Sequence, residues 1–312
     1  MIVGFDVGGT NARALLVDPA SWGILDRDHE SSVCPGPVLL ERLIAMVGRL
    51  EQRNGITVDA IGLGVAGLAH RSGVVHYSPN LPNLVEYPLG TELQSALGKP
   101  VVVMNDATAG TWAEAKLGAG RNTDDFVFAA LGTGIGTGFV CSGVLMQGAS
   151  GFAGEAGHMV VDARGPAHIT GQQGPWEYFA SGNALGRLGR EAATDSKFGA
   201  GIELAGSIDK IAGFHVVAAF RDGDADAAAI LDDFYREVAR GLANLVIIFD
   251  PARIVIGGGL AEVGEPLRAG VEVWLDELLL GSEHRPGVEV VIAELGDEAG
   301  AIGAAILAAD EV

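Results

Sequence analysis

The chain carries the same local pattern twice: an apolar strand, a turn of glycine and threonine, and a second strand. In the first copy, the strand Ile2–Val7 leads into Gly8-Gly9-Thr10-Asn11, which predicts a β-hairpin. In the second copy, the strand Phe126–Leu131 leads into a turn over 132–138. The repeat predicts two similarly built domains, with a chance match between two glycine-rich hairpins as the alternative.

Short apolar runs alternate with helical patterns along the rest of the chain, which predicts an α/β architecture. Further strands are predicted at 14–17, Ala60–Val65, 101–104, 139–141, 253–256 and 288–292. Helices are predicted to start at Pro37 and Pro175 and to span 226–249, 266–280 and 300–309. One buried face of the first helix is predicted to consist of Leu40, Leu43, Ile44, Val47 and Leu50. Because no low-complexity linker interrupts the pattern, we predict a domain boundary near Asn105, as a hinge within compact structure.

Charge and cysteine content exclude several classes of partner and site. Forty acidic side chains against twenty basic ones give a net charge of -20, which repels nucleic-acid phosphates and anionic membrane surfaces. Two cysteines, Cys34 and Cys141, cannot form a disulfide framework or a cysteine-rich zinc site. The N-terminus has no basic segment followed by an apolar run, and no stretch has the length of a membrane span. We therefore predict a cytoplasmic protein without nucleic-acid or membrane partners.

Neither glycine turn matches a P-loop or a dinucleotide-binding fingerprint. Both turns offer backbone N–H groups without a Cβ nearby, together with the hydroxyls of Thr10 and Thr133. Such a nest can bind phosphate oxygens. Asp6 precedes the first turn, and its carboxylate is a suitable ligand for Mg²⁺ held through water. The two turns and Asp6 together predict a nucleotide site between two lobes.

Asn105-Asp106 follows the buried strand predicted at 101–104. The carboxyl ends of strands are where open α/β sheets bind ligands, so Asp106 is a candidate catalyst. A helix is predicted to begin near Thr108, and Asp is a common helix cap. The residues alone leave both interpretations of Asp106 open.

A second group of polar residues follows the second turn. Glu155 and His158 lie in a glycine-rich segment, and a carboxylate with an imidazole suits the binding of sugar hydroxyls. A single histidine such as His158 is more often structural. Glu177 has the alternative role of a favourable acid in the first turn of the helix that Pro175 opens. Asn80 lies in a proline-containing segment, where Asn commonly forms turns.

Taken in this order, the motifs resemble those of the ROK family of sugar kinases and related repressors. The resemblance spans nearly the whole chain and is carried by Asp6-Val7-Gly8-Gly9-Thr10-Asn11, Asn105-Asp106-Ala107, 131–138, 154–158, Gly171 to Gly182 and 256–259. It implies an α/β fold of the actin-like ATPase (ribonuclease H-like) type, with two α/β lobes around a central cleft that closes on ATP, Mg²⁺ and a sugar. The implied lobes are 1–105 plus 299–312, and 106–298. The final helix would pack on the first lobe.

The resemblance also implies roles for the candidate residues. Asp106 would be the base that activates the sugar hydroxyl, and Asn105 would bind sugar hydroxyls beside it. Further sugar contacts would come from Asn80, Glu155, His158 and Glu177. The residues expected to contact ATP, with Asp6 acting through Mg²⁺ and water, are Asp6, Gly8, Gly9, Thr10, Asn11, Gly132, Thr133, Gly134, Gly257, Gly258 and Gly259.

One segment departs from the pattern of the family. The family usually carries Cys-x-Cys-Gly-x-x-Gly-Cys there, and these cysteines bind a structural Zn²⁺ together with the His that corresponds to His158. This chain instead has His168-Ile169-Thr170-Gly171-Gln172-Gln173-Gly174-Pro175. Because His158 and His168 alone cannot complete a tetrahedral site, we predict that the chain has no zinc site.

The activity that the resemblance implies is ATP:sugar phosphotransfer. Glucose, phosphorylated at its 6-hydroxyl, is the expected substrate, and an N-acylhexosamine or mannose is the alternative within the family. A non-catalytic sugar-sensing protein is the alternative from another class. Family repressors carry a helix-turn-helix before the first strand, whereas the strand pattern here begins almost at Met1 in an acidic chain, so a repressor is disfavoured. A polyphosphate donor is disfavoured because a long polyanion needs a basic track. The family suggests a homodimer or homotetramer.

Overall fold

The computed structural model describes residues 1–79, 81 and 83–311. The chain divides into a first unit of Met1–Asp124, Gly138–Gly154 and Glu294–Val312, and a second unit of Asp125–Thr137 and Glu155–Ala293. The predicted lobes assign residues 106–124, 138–154 and 294–298 to the second lobe, whereas these residues cluster with the first unit. The division of the chain into lobes of 1–105 plus 299–312 and of 106–298 stays a prediction.

Strands and helices alternate as the sequence predicts. The strands are β1 (Ile2–Val7), β2 (Asn11–Val17), β3 (Ile24–Ser31), β4 (Ala60–Val65), β5 (Leu68–Ala69), β6 (Val75–Tyr77), β7 (Val101–Asn105), β8 (Phe126–Leu131), β9 (Ile135–Cys141), β10 (Val144–Leu145), β11 (Arg253–Gly257) and β12 (Glu289–Ile292). The helices are α1 (Gly36–Asn54), α2 (Leu89–Leu97), α3 (Asp106–Leu117), α4 (Trp176–Ala180), α5 (Gly182–Thr194), α6 (Gly199–Ala205), α7 (Gly213–Arg221), α8 (Ala225–Phe249), α9 (Glu265–Leu278) and α10 (Ala299–Ala309).

The first sheet has five strands in the order β3-β2-β1-β4-β7. The predicted hairpin is confirmed, since β1 and β2 pair antiparallel with Ile2 opposite Val17. β4 then pairs in parallel with β1, and β7 pairs in parallel with β4. All six residues of β4 are buried, as expected of a continuous apolar strand covered on both faces.

Helices cover the first sheet on both sides. On one side, α1 buries Leu39, Leu43, Met46, Val47 and Leu50. The predicted face is therefore slightly rotated, because the structure leaves Leu40 and Ile44 only partly buried at its edge. On the other side, α3 and α10 pack with the residues of β1 and β2 that face them.

Glycines allow α10 to approach the first sheet closely. A Cβ at Gly4 of β1 would lie 1.9 Å from the backbone oxygen of Ala301, and a Cβ at Gly62 of β4 would lie 1.9 Å from that of Ala304. The expected packing of the last helix on the first sheet is thus present. It explains why glycines interrupt two otherwise apolar strands.

The second sheet repeats the topology of the first, with five strands in the order β10-β9-β8-β11-β12. β10 pairs antiparallel with β9, whereas β11 pairs in parallel with both β8 and β12. In each sheet, three consecutive strands are followed by two strands from later in the chain. The prediction of two similarly built domains is confirmed by this repeat.

The longest helix, α8, organises the helical part of the second unit. Its N-cap is Asp224, whose side chain accepts a hydrogen bond of 2.7 Å from the N–H of Ala227. Buried residues then recur along one face, as expected of an amphipathic helix. Across the described part of the chain, none of the helices is both long and apolar enough to span a bilayer.

Candidate active site

The first glycine turn connects β1 to β2 and is closed by hydrogen bonds of the backbone and of one serine. The N–H of Gly8 donates to the oxygen of Asn11 over 3.0 Å. The hydroxyl of Ser32 donates to the oxygen of Gly8 over 2.6 Å, and its N–H donates to the oxygen of Thr10 over 3.0 Å. Thr10 and Asn11 are exposed, so the turn presents polar groups to ligands.

Asp6 lies in β1, directly opposite Arg13 of β2. The pKa of Asp6 is raised to about 7, mainly by burial. The negative charges of Asp106 and Asp297 also raise this pKa, whereas the positive charge of Arg13 lowers it. Negative charge therefore exceeds positive charge around this carboxylate. Because hard cations bind carboxylate oxygens and keep part of their hydration, the carboxylate of Asp6 is a suitable ligand for Mg²⁺ held through water.

Asn105 and Asp106 lie where β7 ends and α3 begins. Asn105 is the N-cap: its Oδ1 accepts from the N–H of Thr108 over 3.1 Å, and its Nδ2 donates to the oxygen of Gly67 over 3.2 Å. Asp106 is the first residue of the helix, and its Oδ1 accepts from the N–H of Ala107 over 2.8 Å. The interpretation of Asp106 as the helix cap is therefore wrong, because Asn105 fills that role.

The surroundings of Asp106 favour its protonated form more than water does. Burial raises the pKa of Asp106, and the hydrogen bond from the N–H of Ala107 lowers it by less. A carboxylate with a raised pKa is a stronger base than a solvated one. The chemistry available at Asp106 is therefore the acceptance of a proton.

The second glycine turn lies between β8 and β9 and packs on the start of α5. The N–H of Gly132 donates to the oxygen of Gly134 over 2.9 Å, and the N–H of Gly182 donates to the oxygen of Gly132 over 2.7 Å. A Cβ at Gly182 would lie only 2.8 Å from that same oxygen. Thr133 is exposed at the tip. Glycine is thus required for the close packing of this turn.

Glu177 is positioned by the short helix α4. Pro175 precedes the helix as its N-cap, so the predicted start is confirmed. The next residue, Trp176, is fully buried, and its indole N–H donates to the oxygen of Glu237 in α8 over 3.0 Å. A Cβ at Gly241 would lie 2.0 Å from the indole ring, so only glycine leaves room for it. Packing of Trp176 on α8 therefore fixes the place of Glu177.

The carboxylate of Glu177 contacts the second glycine turn. Its Oε2 accepts from the N–H of Ile135 over 2.8 Å, and a Cβ at Gly134 would lie 2.2 Å from this oxygen. Its Oε1 lies 3.4 Å from Nε2 of His168. Glu177 is thus in the first turn of α4, as the structural alternative expects, and it also has contacts beyond that helix.

His158 is the last residue of a short 3-10 turn, Ala156–His158, and Glu155 directly precedes this turn. The N–H of Ala156 donates to Oγ1 of Thr137 over 3.2 Å, which connects this turn to β9. Nε2 of His158 lies 3.9 Å from Oε2 of Glu155, and each of the two side chains is 35% exposed. Both side chains are accessible to a ligand, from which Glu155 can accept hydrogen bonds and with which His158 can donate or accept.

Hydrogen bonds hold the segment that lacks the three cysteines of the family pattern. The side chain of Gln172 donates to the backbone oxygen of His158. The N–H of His168 donates to the oxygen of Gln172 over 2.8 Å, and a β-bridge joins Ala167 to Gln173. Among the described residues, no group of three or more His, Cys, Asp or Glu side chains is arranged to bind a metal ion. The expectation that the chain has no zinc site stays a prediction.

The three consecutive glycines at the end of β11, Gly257 to Gly259, are required by the packing to different degrees. A Cβ at Gly257 would lie 2.7 Å from the ring of Phe128. Gly258 has a φ of 77°, and a Cβ there would lie 2.6 Å from the oxygen of Leu131. A Cβ at Gly259 would meet none of the described atoms within 4 Å. Packing therefore accounts for the first two glycines and leaves the third for other roles.

Asn80 lies outside the described residues. His168 appears in the sequence only as a replacement for a cysteine, and its contact with Glu177 could not be predicted. The two residues are brought together by the fold of the segment between them, and no local periodicity indicates such a contact.

Comparison with known proteins identifies the family. The model of the ROK family matches residues 2–311. The glucokinase of Streptomyces coelicolor is 35% identical in an alignment of 322 positions, which covers 99% of this chain and 97% of that protein. The glucokinase of Thermotoga maritima is 35% identical in an alignment of 316 positions, which covers 100% of this chain and 98% of that protein.

A solved structure extends this similarity to the fold. A ROK family glucokinase from Streptomyces griseus, in complex with glucose and AMPPNP, matches with a TM-score of 0.88 and 35% identity over 99% of each chain. This match confirms the predicted α/β fold of the actin-like ATPase type. The matched sequence motifs, the repeated sheet topology and the full-length similarity lead to one conclusion: the chain belongs to the ROK family.

Proposed function

We propose that this chain is an ATP-dependent glucokinase, which transfers the γ-phosphate of ATP to the 6-hydroxyl of glucose. Two glucokinases that are 35% identical over almost the whole chain support the proposal. The related structure in complex with glucose and AMPPNP supports ATP as the phosphate donor. The observation that carries the proposal is the carboxylate of Asp106, which directly follows β7, has a raised pKa and is not the cap of its helix.

In the proposed reaction, Asp106 accepts the proton of the sugar hydroxyl as the hydroxyl oxygen attacks the γ-phosphorus of ATP. The new O–P bond forms while the bond from this phosphorus to the bridging oxygen breaks, and ADP leaves with the electron pair. Asn105 binds sugar hydroxyls beside Asp106. A primary amide has two N–H groups and two lone pairs on oxygen, and the contacts with Thr108 and Gly67 use one of each.

Negative charge on the phosphates requires neutralisation. Mg²⁺, when bound, would supply positive charge at the phosphates, and Asp6 would hold it through water. The raised pKa of Asp6 and its acidic neighbours Asp106 and Asp297 support this role. Neither glycine turn contains a lysine, so backbone N–H groups are the proposed donors to phosphate oxygens. These donors lie in the segments Gly8-Gly9-Thr10-Asn11 and Gly132-Thr133-Gly134, and Gly257-Gly258-Gly259 would contact the adenosine.

Three residues of the second unit are proposed to bind the remaining sugar hydroxyls. Glu155 and His158 support this role by their partial exposure on one short turn. Glu177 supports it by its fixed place on α4. Carboxylates accept hydrogen bonds from hydroxyls, and a histidine can donate or accept. Asn80 is proposed as a further contact on the basis of the family pattern.

The setting of the enzyme is also part of the proposal. We place it in the cytoplasm, as a homodimer or homotetramer, without nucleic-acid or membrane partners. The net charge of -20 supports the last point, since it opposes binding to polyanions.

The test is an ADP-release assay with ATP and Mg²⁺ across a panel of glucose, mannose, N-acetylglucosamine and N-acetylmannosamine. We expect the highest kcat/KM with glucose and glucose 6-phosphate as the product. A preference for another hexose would change the proposed substrate but would still support the proposed kinase activity. Turnover with none of the sugars would refute the proposed function.

A further inference from the structure

The carboxylate of Glu177 has neighbours at both of its oxygens. Oε2 accepts from the N–H of Ile135 over 2.8 Å, and Oε1 lies 3.4 Å from Nε2 of His168. The side chains of His168 and Glu177 are only 13% and 19% exposed. At this burial a charged group is poorly screened by water, so its neighbours determine its orientation more strongly than they would at the surface.

The imidazole of His168 is itself oriented from its other side. Its Nδ1 lies 3.0 Å from Oγ1 of Thr170. In a neutral imidazole, one nitrogen donates and the other accepts. If the hydroxyl of Thr170 donates to Nδ1, the proton of the ring is on Nε2, where it faces the carboxylate of Glu177. A protonated ring would also present an N–H there.

The backbone around His168 restricts the movement of the ring further. The N–H of His168 donates to the oxygen of Gln172 over 2.8 Å, and the N–H of Gly171 donates back to the oxygen of His168 over 2.9 Å. The side chain of Gln172 donates to the backbone of His158. The ring of His168 therefore belongs to a closed turn that is attached to a proposed sugar-binding residue.

We propose that His168 is a positioning residue, which holds the carboxylate of Glu177 in the orientation that binds the sugar. The inference rests on the proposed function, because it assigns His168 a task in sugar binding. His168 would act only through Glu177, without contact with the sugar itself. Loss of the contact should weaken sugar binding while the chemical step continues, since Asp106 is unaffected.

Two conservative substitutions separate this role from a purely structural one. In His168→Gln, the amide nitrogen can take the place of Nε2 and donate to Glu177, whereas the contact with Thr170 is lost. In His168→Asn, the shorter amide can replace Nδ1 and keep the contact with Thr170, but it does not reach Glu177. Ile169→Ala, at a side chain that is 93% exposed in the same turn, is the matched control.

The experiment measures KM for glucose and kcat of all three variants, together with Kd for glucose by calorimetry. We expect His168→Asn to raise KM and Kd about fivefold to tenfold, the effect of losing one partly buried polar contact. We expect kcat to stay within about twofold in all variants. His168→Gln and Ile169→Ala should stay close to the wild type.

Three outcomes would overturn the inference. The first is an unchanged Kd for glucose in His168→Asn. The second is a raised Kd in His168→Gln with a normal Kd in His168→Asn, which is the result expected if His168 only holds the turn through Thr170. The third is a loss of kcat without a change in KM. Turnover by the wild type tests the proposed function, whereas the KM and Kd values of the variants relative to the wild type test the role of His168. A failure of the proposed function is therefore distinguished from a failure of the inference about His168.

Discussion

Three acidic side chains of the first unit are buried to different degrees and satisfied in different ways. Asp6 and Asp106 have raised pKa values, because burial and, for Asp6, the charge of its neighbour disfavour ionisation. Glu114 is fully buried, yet its carboxylate accepts hydrogen bonds from the N–H groups of Ala119, Glu294 and Leu295 at 2.7, 3.2 and 2.9 Å. The surroundings of the first two carboxylates thus disfavour their charged form, whereas those of Glu114 satisfy it with three hydrogen bonds.

The pKa of Asp6 predicts a pH-dependent effect of Asp6→Asn on stability. Because the pKa is about 7 in the folded chain against 3.8 ordinarily, Asp6 stabilises the fold below about pH 4, and this contribution is lost as the pH rises through 7. The variant should therefore gain free energy of unfolding relative to the wild type between pH 4 and 8. For each tenfold decrease in the acid dissociation constant of Asp6 on folding, the variant should gain about 1.4 kcal/mol in its free energy of unfolding relative to the wild type. Urea unfolding without divalent cations measures it, and a difference independent of pH would contradict the burial of this charge.

Glu114 predicts a large loss of stability from a nearly isosteric change. In Glu114→Gln, an NH₂ group replaces one acceptor oxygen and faces backbone N–H groups, so at least one buried donor loses its partner. We expect a loss of about 2 kcal/mol in the free energy of unfolding. Glu41→Gln, at an exposed position of α1, should change it by less than roughly 0.5 kcal/mol. Equal effects of the two substitutions in denaturant unfolding would show that the carboxylate of Glu114 is not needed.

At the scale of elements, the close packing of α10 depends on glycine. A Cβ at Gly303 would lie 1.8 Å from the backbone oxygen of Ala109 in α3, and no rotation of a side chain can relieve that clash. Gly303→Ala should therefore destabilise the chain by on the order of 1–3 kcal/mol.

The matched control is Gly48→Ala in α1. This glycine is exposed, and an added Cβ would meet none of the described atoms within 4 Å. Alanine should stabilise the helix there by roughly 0.5–1 kcal/mol, because it restricts the unfolded chain. Thermal unfolding of both variants compares them directly, and effects of the same sign would contradict the packing of α10.

The apolar strands and the helices α1, α8, α9 and α10 could be predicted from the sequence, but β3 could not. Four of the eight residues of Ile24–Ser31 are charged, and the strand alternates between partly buried and exposed positions at the edge of the sheet. The strand is stabilised by ion pairs with α1, such as Asp28 with Arg49 at 2.7 Å and Asp26 with Arg53 at 2.9 Å. Because these partners are distant in sequence, the hydrophobic pattern does not indicate the strand.

At the scale of the whole molecule, the repeated turn is the most useful signal in the sequence. It predicts two domains of one topology, and the strand orders of the two sheets confirm that prediction. The bounds of the units could not be predicted, because residues 106–124, 138–154 and 294–298 join the first unit through tertiary contacts. The candidate residues at strand ends and in turns could be predicted, since their positions follow from local patterns. The contact of His168 with Glu177 could not, because it depends on how the segment folds.

The most direct test of the proposed mechanism is the activity of Asp106→Asn with glucose and ATP. Asparagine keeps the size of the side chain but cannot accept the proton at neutral pH. We expect kcat to fall about 10²- to 10⁴-fold, as is typical when a general base is lost, while Kd for glucose by calorimetry stays close to that of the wild type. Near-normal turnover of Asp106→Asn would contradict the assignment of Asp106 as the base.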